Sequence, residues 1–310
     1  MLSPAELFSR AKALRALMSP CMLCPRKCRV DRLKGETGFC RLGAEMMVYC
    51  TNLHPGEEPP ISGSGGSGTV FFTGCNLGCA FCQNFTFSQL MNGKAATPGT
   101  LAADMLALQR RGAHNINWVT PTPHTALAVE ALAIARERGL AIPLVYNCSG
   151  YESPEVLTLL DGIVDIYLPD AKYAGSEPAR LLSSAPDYPE ANRIALKEMW
   201  RQTGPLELDE HGVARRGMII RHLVLPNRLA GTRGVLQFIA RELGTSATVS
   251  LMRQYYPMHR AHTIPSINRP ITWDEYHEAL EWYDESGLKD GYIQEWTDEE
   301  HDDGADFFKH

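Results

Sequence analysis

What the chain lacks narrows the field first. No apolar run approaches the roughly 18 residues that mark a membrane span. The first twenty residues carry scattered charges where a secretory leader would have an unbroken apolar core, so a cytoplasmic protein is expected. Charge of one sign is also in short supply, since 30 Lys and Arg against 36 Asp and Glu leave a formal net charge of -6. A phosphate-binding face normally belongs to a domain with pI above about 9. The pI here is near 5.9, so neither nucleic acid nor membrane is expected as a partner.

Cysteine is almost missing beyond residue 82, where Cys148 stands alone. The other eight, Cys21, Cys24, Cys28, Cys40, Cys50, Cys75, Cys79 and Cys82, crowd the amino-terminal part. Disulfide frameworks belong to oxidising compartments, and tight thiol groups in a cytosolic chain point to metal ligation rather than to buried inert thiols.

Periodicity organises the rest. Residues 5–18 read as an amphipathic helix stopped by Pro20. Within a Pro- and Gly-rich stretch, 55–68, the run Gly63-Ser64-Gly65-Gly66-Ser67-Gly68 reads as a flexible linker. Short β-branched or apolar runs at 69–73, 116–119, 142–146, 163–168, 218–225 and 248–252 read as strands. Between them lie helices, one capped by Thr100 and ended by Gly112, another over 126–138 ended by Gly139. Thr272 with Glu275 forms a capping box for a last helix ended by Gly287, and the acidic tail 298–310 reads as frayed. The expected division is an N-terminal helix and cysteine-rich metal-binding region (1–62), a barrel (63–264), and a C-terminal helix, short strand and tail (265–310). Repeated βα units demand right-handed crossovers and a parallel sheet, hence an α/β fold. Six strands fit a partial (β/α)6 TIM-type barrel, although a doubly wound open sheet would give a similar string.

The chemistry sits directly after the first strand, in Gly74-Cys75-Asn76-Leu77-Gly78-Cys79-Ala80-Phe81-Cys82-Gln83-Asn84, a C-x3-C-x2-C loop. Thiolates ligate iron-sulfur clusters, which normally take four of them. Three leave one iron of a [4Fe-4S] cube open to a substrate or cosubstrate. Gly74 and Gly78 would let the backbone pass close to an inorganic core. The carboxyl ends of parallel strands are where α/β folds hold ligands.

At these residues the sequence resembles the radical S-adenosylmethionine superfamily, whose signature has an aromatic before the last cysteine, here Phe81. Phe71-Phe72-Thr73-Gly74-Cys75-Asn76-Leu77 and Phe81-Cys82-Gln83-Asn84 resemble the branch related to pyruvate formate-lyase activating enzymes, and Gly56-Glu57-Glu58-Pro59-Pro60 resembles an uncharacterised subgroup of it. The resemblance implies a [4Fe-4S] cluster on Cys75, Cys79 and Cys82, with S-adenosylmethionine chelating the open iron. One electron then cleaves the sulfonium to methionine and a 5'-deoxyadenosyl radical. It also implies oxygen sensitivity and an electron donor such as flavodoxin or ferredoxin.

Cofactor contacts are expected at Phe81 and Asn84 of the loop and at the ends of later strands. Val119-Thr120-Pro121-Thr122-Pro123-His124 stands where many members carry Gly-Gly-Glu-Pro, leaving Thr120 and Thr122 as hydrogen-bonding groups. Tyr146-Asn147-Cys148-Ser149-Gly150 stands where activating enzymes carry Asp-Thr-Asn-Gly, placing Asn147 and Ser149. Asp170-Ala171-Lys172 matches Asp-Leu-Lys, so Lys172 would meet the methionine carboxylate and Asp170 the ribose or Lys172 itself; a plain surface ion pair is the alternative. Arg221 and His222 read as inward-facing polar groups on the fifth strand, because an isolated charge in an apolar run is costly unless it is used. Gln254, Tyr255, His259 and His262 are weaker candidates near the mouth. No catalytic side chain is assigned.

Cys21-x2-Cys24-x3-Cys28-x11-Cys40 supplies a further four thiols, enough to close a shell around structural zinc or an auxiliary iron-sulfur cluster. Three functions compete. The chain could be a glycyl-radical activase acting on a protein substrate, a radical modifier of a small molecule or peptide, or a non-catalytic zinc or iron-sulfur module.

Overall fold

The computed structural model describes residues 2–296. Among the described residues ten strands form one sheet: β1 (Met46–His54), β2 (Ser67–Phe72), β3 (Lys94–Ala96), β4 (Ile116–Val119), β5 (Leu144–Cys148), β6 (Ile166–Pro169), β7 (Glu207–Leu208), β8 (Ala214–Leu223), β9 (Thr248–Met252) and β10 (Gly291–Ile293). Their order is β10-β9-β8-β6-β5-β4-β2-β1-β3, with β7 attached to β8. Neighbours from β2 to β10 run parallel, whereas β1 and β3 are antiparallel. The parallel strands succeed one another without the reversal that defines a doubly wound sheet. The end strands β3 and β10 do not pair. The fold is therefore an open α/β barrel of partial TIM type. All six expected strands occur, and β4 and β9 have the bounds read from the sequence.

The outer layer contains α1 (Pro4–Ala16), α4 (Pro98–Arg110), α5 (Thr125–Glu137), α6 (Pro154–Leu160), α7 (Ser176–Ser183), α8 (Tyr188–Thr203), α9 (Thr232–Glu242) and α10 (Trp273–Ser286). Two single-turn helices, α2 (Pro59–Ser62) and α3 (Phe85–Ser88), lie in the β1–β2 and β2–β3 connections. Ser3 and Glu6 close a capping box on α1, and Leu7, Ala11 and Leu14 form its buried stripe. The helix expected behind Thr100 starts earlier, with Thr97 as cap and Pro98 in the first turn. The capping box at Thr272 and the left-handed Gly287 at the end of α10 stand as read. The tail 298–310 lies outside the described residues.

The 55–68 stretch is not a free linker. Gly65 N–H donates to His114 Nε2 at 2.8 Å, Gly66 to the Ser62 carbonyl at 2.8 Å, and Gly68 to the Asn115 carbonyl at 3.0 Å. Because β1 precedes it and pairs with β2, residues 62 and 63, the expected boundary, lie between two strands of one sheet. The segment fills the lower end of the barrel. Ile61 packs on Val145, Ile166, Leu168, Ala214 and Ile219. Above it, Glu58 takes a bidentate pair from Arg221 at 2.8 and 2.6 Å, Glu57 bonds the same guanidinium, and Asn117 donates to Glu57 at 3.0 Å. Burial pushes the Glu58 carboxyl up, and the Arg221 charge overrides this and holds it below its ordinary range. Truncating one partner leaves uncompensated buried charge. Arg221→Met is therefore expected to cost on the order of 3 to 5 kcal/mol in urea unfolding; a loss under about 1 kcal/mol would mean that the carboxylates rehydrate instead.

Candidate active site

The three-thiol loop leaves β2 and is pinned on both sides. Gly78 N–H donates to Ser183 O at 3.2 Å and Ala80 N–H to Leu182 O at 2.7 Å, which fixes it to the end of α7. Arg260 donates to Gly78 O at 2.7 Å, and Gln89 to Cys79 O at 2.8 Å. Hydrogen bonds also reach the sulfurs: Ser183 Oγ lies 3.0 Å from Cys79 Sγ, Ser88 Oγ 3.2 Å from Cys82 Sγ, and Leu77 N–H donates to Cys75 Sγ at 3.3 Å. Gly74, with φ +81, does not make room for an inorganic core as its position suggested. A Cβ there would meet Leu42 at 2.8 Å and the Cys40 carbonyl at 3.0 Å, so the glycine admits the amino-terminal segment.

Burial pushes the Cys75 and Cys82 thiols up, and the neighbouring sulfurs add to this; Lys172 works against it. Three adjacent thiolates in such a place need cationic compensation, and an iron cluster supplies it. The donor set thus fits a [4Fe-4S] cluster with one open iron. Among the described residues no three Cys, His, Asp or Glu side chains converge closely enough to share a single ion.

Lys172 extends from the β6 end. Its ammonium sits 2.6 Å from Asp170, with side-chain exposures of 18% and 23%, so this is a half-buried pair rather than a surface one. Burial would lower this ammonium, but Asp170 and the sulfurs of Cys79 and Cys82 hold it above its ordinary value. Two residues of α8 that the sequence reading did not single out place the pair. Tyr188 OH accepts from Lys172 N–H at 3.0 Å and donates to Ser149 O at 2.8 Å. Asn192 donates to Gly150 O and Asp170 O at 3.0 and 2.9 Å. The apolar period of 188–203 was the available signal.

The other expected contacts divide. Asn147 accompanies Asp170 at the carboxyl strand ends, and Ser149 Oγ donates to Asn76 Oδ1 at 3.3 Å, beside Cys75. Thr120, left-handed at φ 59, donates its N–H to Asn147 O at 2.9 Å. Phe81 packs edge-on to Tyr255, and Asn84 precedes α3. Gln83 donates to Gln254 O at 3.0 Å, while Tyr255 OH is committed to Ile267 O at 2.6 Å. His259 stacks on Phe85, and His262 lies 3.1 Å from Asn268 Oδ1. Arg221 does not join the group, because Glu57 and Glu58 occupy its guanidinium. His222 does not face inward. Alternation turns it to the helix layer, where it meets Ala171 O and Thr232, and burial lowers it to about 4. Cys148 is a buried packed thiol.

Thr122 also turns away, donating at 2.7 Å to Glu152, a carboxyl with 0% exposure. Burial raises Glu152 to about 8 against bonds from Thr122, Tyr146 and Cys148, and Cys24 is a further titratable group nearby.

An open parallel barrel with a three-thiol loop at a strand's carboxyl end defines an iron-sulfur enzyme class. A family model of the radical SAM superfamily matches residues 69–193. An uncharacterized protein of Methanocaldococcus jannaschii is 33% identical over 288 residues, covering 90% of this chain and 78% of the relative. A second uncharacterized protein of that organism is 24% identical over 296 residues, covering 88% and 80%. The chain belongs to the radical SAM superfamily, and membership implies a [4Fe-4S] cluster and S-adenosylmethionine. Among solved structures, HydG, a maturase of the [FeFe]-hydrogenase, aligns with a TM-score of 0.47 at 11% identity, over 71% of this chain and 49% of that one. Among the described residues no helix is long and apolar enough to cross a membrane.

Glu152 generates a pH prediction. Burial holds it protonated in the folded state up to about 8, whereas the unfolded chain ionises near the ordinary 4.5. Stability should therefore fall as pH rises between these values, by up to about 5 kcal/mol in all. Glu152→Gln should flatten this slope in denaturation measured from pH 5 to 8.5, and an unchanged slope would assign it to other groups.

Proposed function

We propose that this protein reductively cleaves S-adenosylmethionine at a [4Fe-4S] cluster on Cys75, Cys79 and Cys82 and abstracts a hydrogen atom from a substrate, in the manner of glycyl-radical activating enzymes. The observation that carries this reading is Lys172, a half-buried ammonium whose charge reaches the three sulfurs while Asp170 holds it. When bound, the cluster supplies one electron to the sulfonium and so generates the 5'-deoxyadenosyl radical. Lys172 would bind the methionine carboxylate, Asp170 would orient Lys172, and Tyr188 and Asn192 position both.

The activase label rests on the motif around Phe71–Leu77 and Phe81–Asn84. A small molecule or peptide is the second reading. It is favoured by the filled lower barrel, where Asn117 Oδ1 is buried and has no partner among the described residues, and by Tyr255, whose hydroxyl is already bonded to Ile267 O. A flavodoxin- or ferredoxin-class donor would deliver the electron. The amino-terminal thiols would hold a closed metal site.

Anaerobic reconstitution should give an EPR signal that changes on adding S-adenosylmethionine, with slow release of 5'-deoxyadenosine under dithionite. Cys82→Ala should abolish that release, and full release in this variant would sink the assignment, leaving a non-catalytic module. Lys172→Met should weaken S-adenosylmethionine binding at least roughly 30-fold, equivalent to about 2 kcal/mol, with iron content near wild type. Affinity within fivefold of wild type would remove Lys172 from the site.

A further inference from the structure

Cys21, Cys24, Cys28 and Cys40 come from different turns of the amino-terminal segment and line one cavity, together with Arg26 and Arg32. The backbone is bent to achieve this: Lys27 and Arg29 on either side of Cys28, and Arg41 after Cys40, all have positive φ. Arg32 is 1% exposed, and its guanidinium bonds only carbonyls, Gly43 O at 2.9 Å and Pro123 O at 2.9 Å. Arg26 likewise bonds carbonyls, Asn76 O at 2.7 Å and Ser184 O at 2.8 Å, and lies 3.5 Å from the centre of the Phe39 ring. Among the described residues neither guanidinium has a carboxylate partner. Arg26 is half-buried, whereas the fully buried charge of Arg32 calls for a counter-anion, and a tetrathiolate metal site, about -2 for either Zn2+ or an oxidised [4Fe-4S] core, provides one.

Charge alone does not distinguish those two occupants. Position does. The cavity abuts the active-site loop. Asn76, adjacent in sequence to Cys75, lines the cavity, and its carbonyl takes the Arg26 bond. Ser183, whose carbonyl lies 3.4 Å from Arg26, donates through its hydroxyl to Cys79. Cys40 O and Phe39 would contact a Cβ at Gly74 and Gly78, at 3.0 and 3.2 Å. Zinc has no redox chemistry to use at such a place.

We propose that Cys21, Cys24, Cys28 and Cys40 bind a second [4Fe-4S] cluster, electronically coupled to the first across Asn76, Arg26 and Ser183. The inference deepens the proposed function, since it takes the first cluster as given. Each cluster accepts one electron from dithionite, passing from the 2+ to the 1+ core with no bond made or broken.

The test begins with the triple variant Cys75→Ala/Cys79→Ala/Cys82→Ala, anaerobically reconstituted. It should retain about four iron and four sulfide per chain and a reduced EPR signal indifferent to S-adenosylmethionine. About one zinc in place of iron, or no metal at all, would overturn the proposal. Should that variant fail to fold, Cys24→Ser/Cys28→Ser should halve the iron of the wild type and leave the S-adenosylmethionine-sensitive signal. Unchanged iron would again overturn it. Coupling is read in the fully reduced wild type, whose EPR spectrum should be broadened beyond the sum of the two single-cluster variants; a simple sum would refute it. Failure of the proposed function shows separately, as a wild-type spectrum that ignores S-adenosylmethionine.

Discussion

Three sulfurs on one short loop, one buried and two half-buried, are the constraint around which the structure is arranged. Their charge cannot be left in an apolar surrounding, and the neighbouring elements supply donors and a cation. Ser183 donates to the Cys79 sulfur, Ser88 is hydrogen-bonded to that of Cys82, Lys172 brings an ammonium, and Arg260 and Gln89 hold the Gly78 and Cys79 carbonyls. The barrel brings these residues, distant in sequence, to one end of the sheet. The clamp by Tyr188 and Asn192 then fixes the β5 and β6 ends to each other, so the cation does not wander from the sulfurs.

Much of this was legible in the sequence. The parallel strands announce themselves as short apolar runs because both their faces are covered. The capping box at Thr272 is local chemistry and was read locally, whereas the equally local one at Ser3 was passed over. The cysteine spacing and Asp170-Ala171-Lys172 were legible for the same reason, as each motif lies within one loop. What escaped were relations between distant segments. Arg221 looked unpaired because its carboxylates lie 163 and 164 positions away. His222 was assigned to the interior along with Arg221, although neighbouring strand residues cannot share a face. The Gly- and Ser-rich run was read as slack chain, when its amides meet acceptors in the β2–β4 region that composition does not reveal.

The amino-terminal segment is likewise not an appendage. α1 buries its stripe in the main core, and the residues around Cys40 fill the space left by Gly74. A side chain added at that glycine would push the segment off the loop, so the two cysteine groups are mechanically one unit.

The filled lower barrel also sets the direction of molecular traffic. With Ile61 and the Glu57–Glu58–Arg221 cluster occupying the lower interior, this end offers no through-passage. Access to the interior is therefore left to the cysteine-loop end and to the seam between β3 and β10.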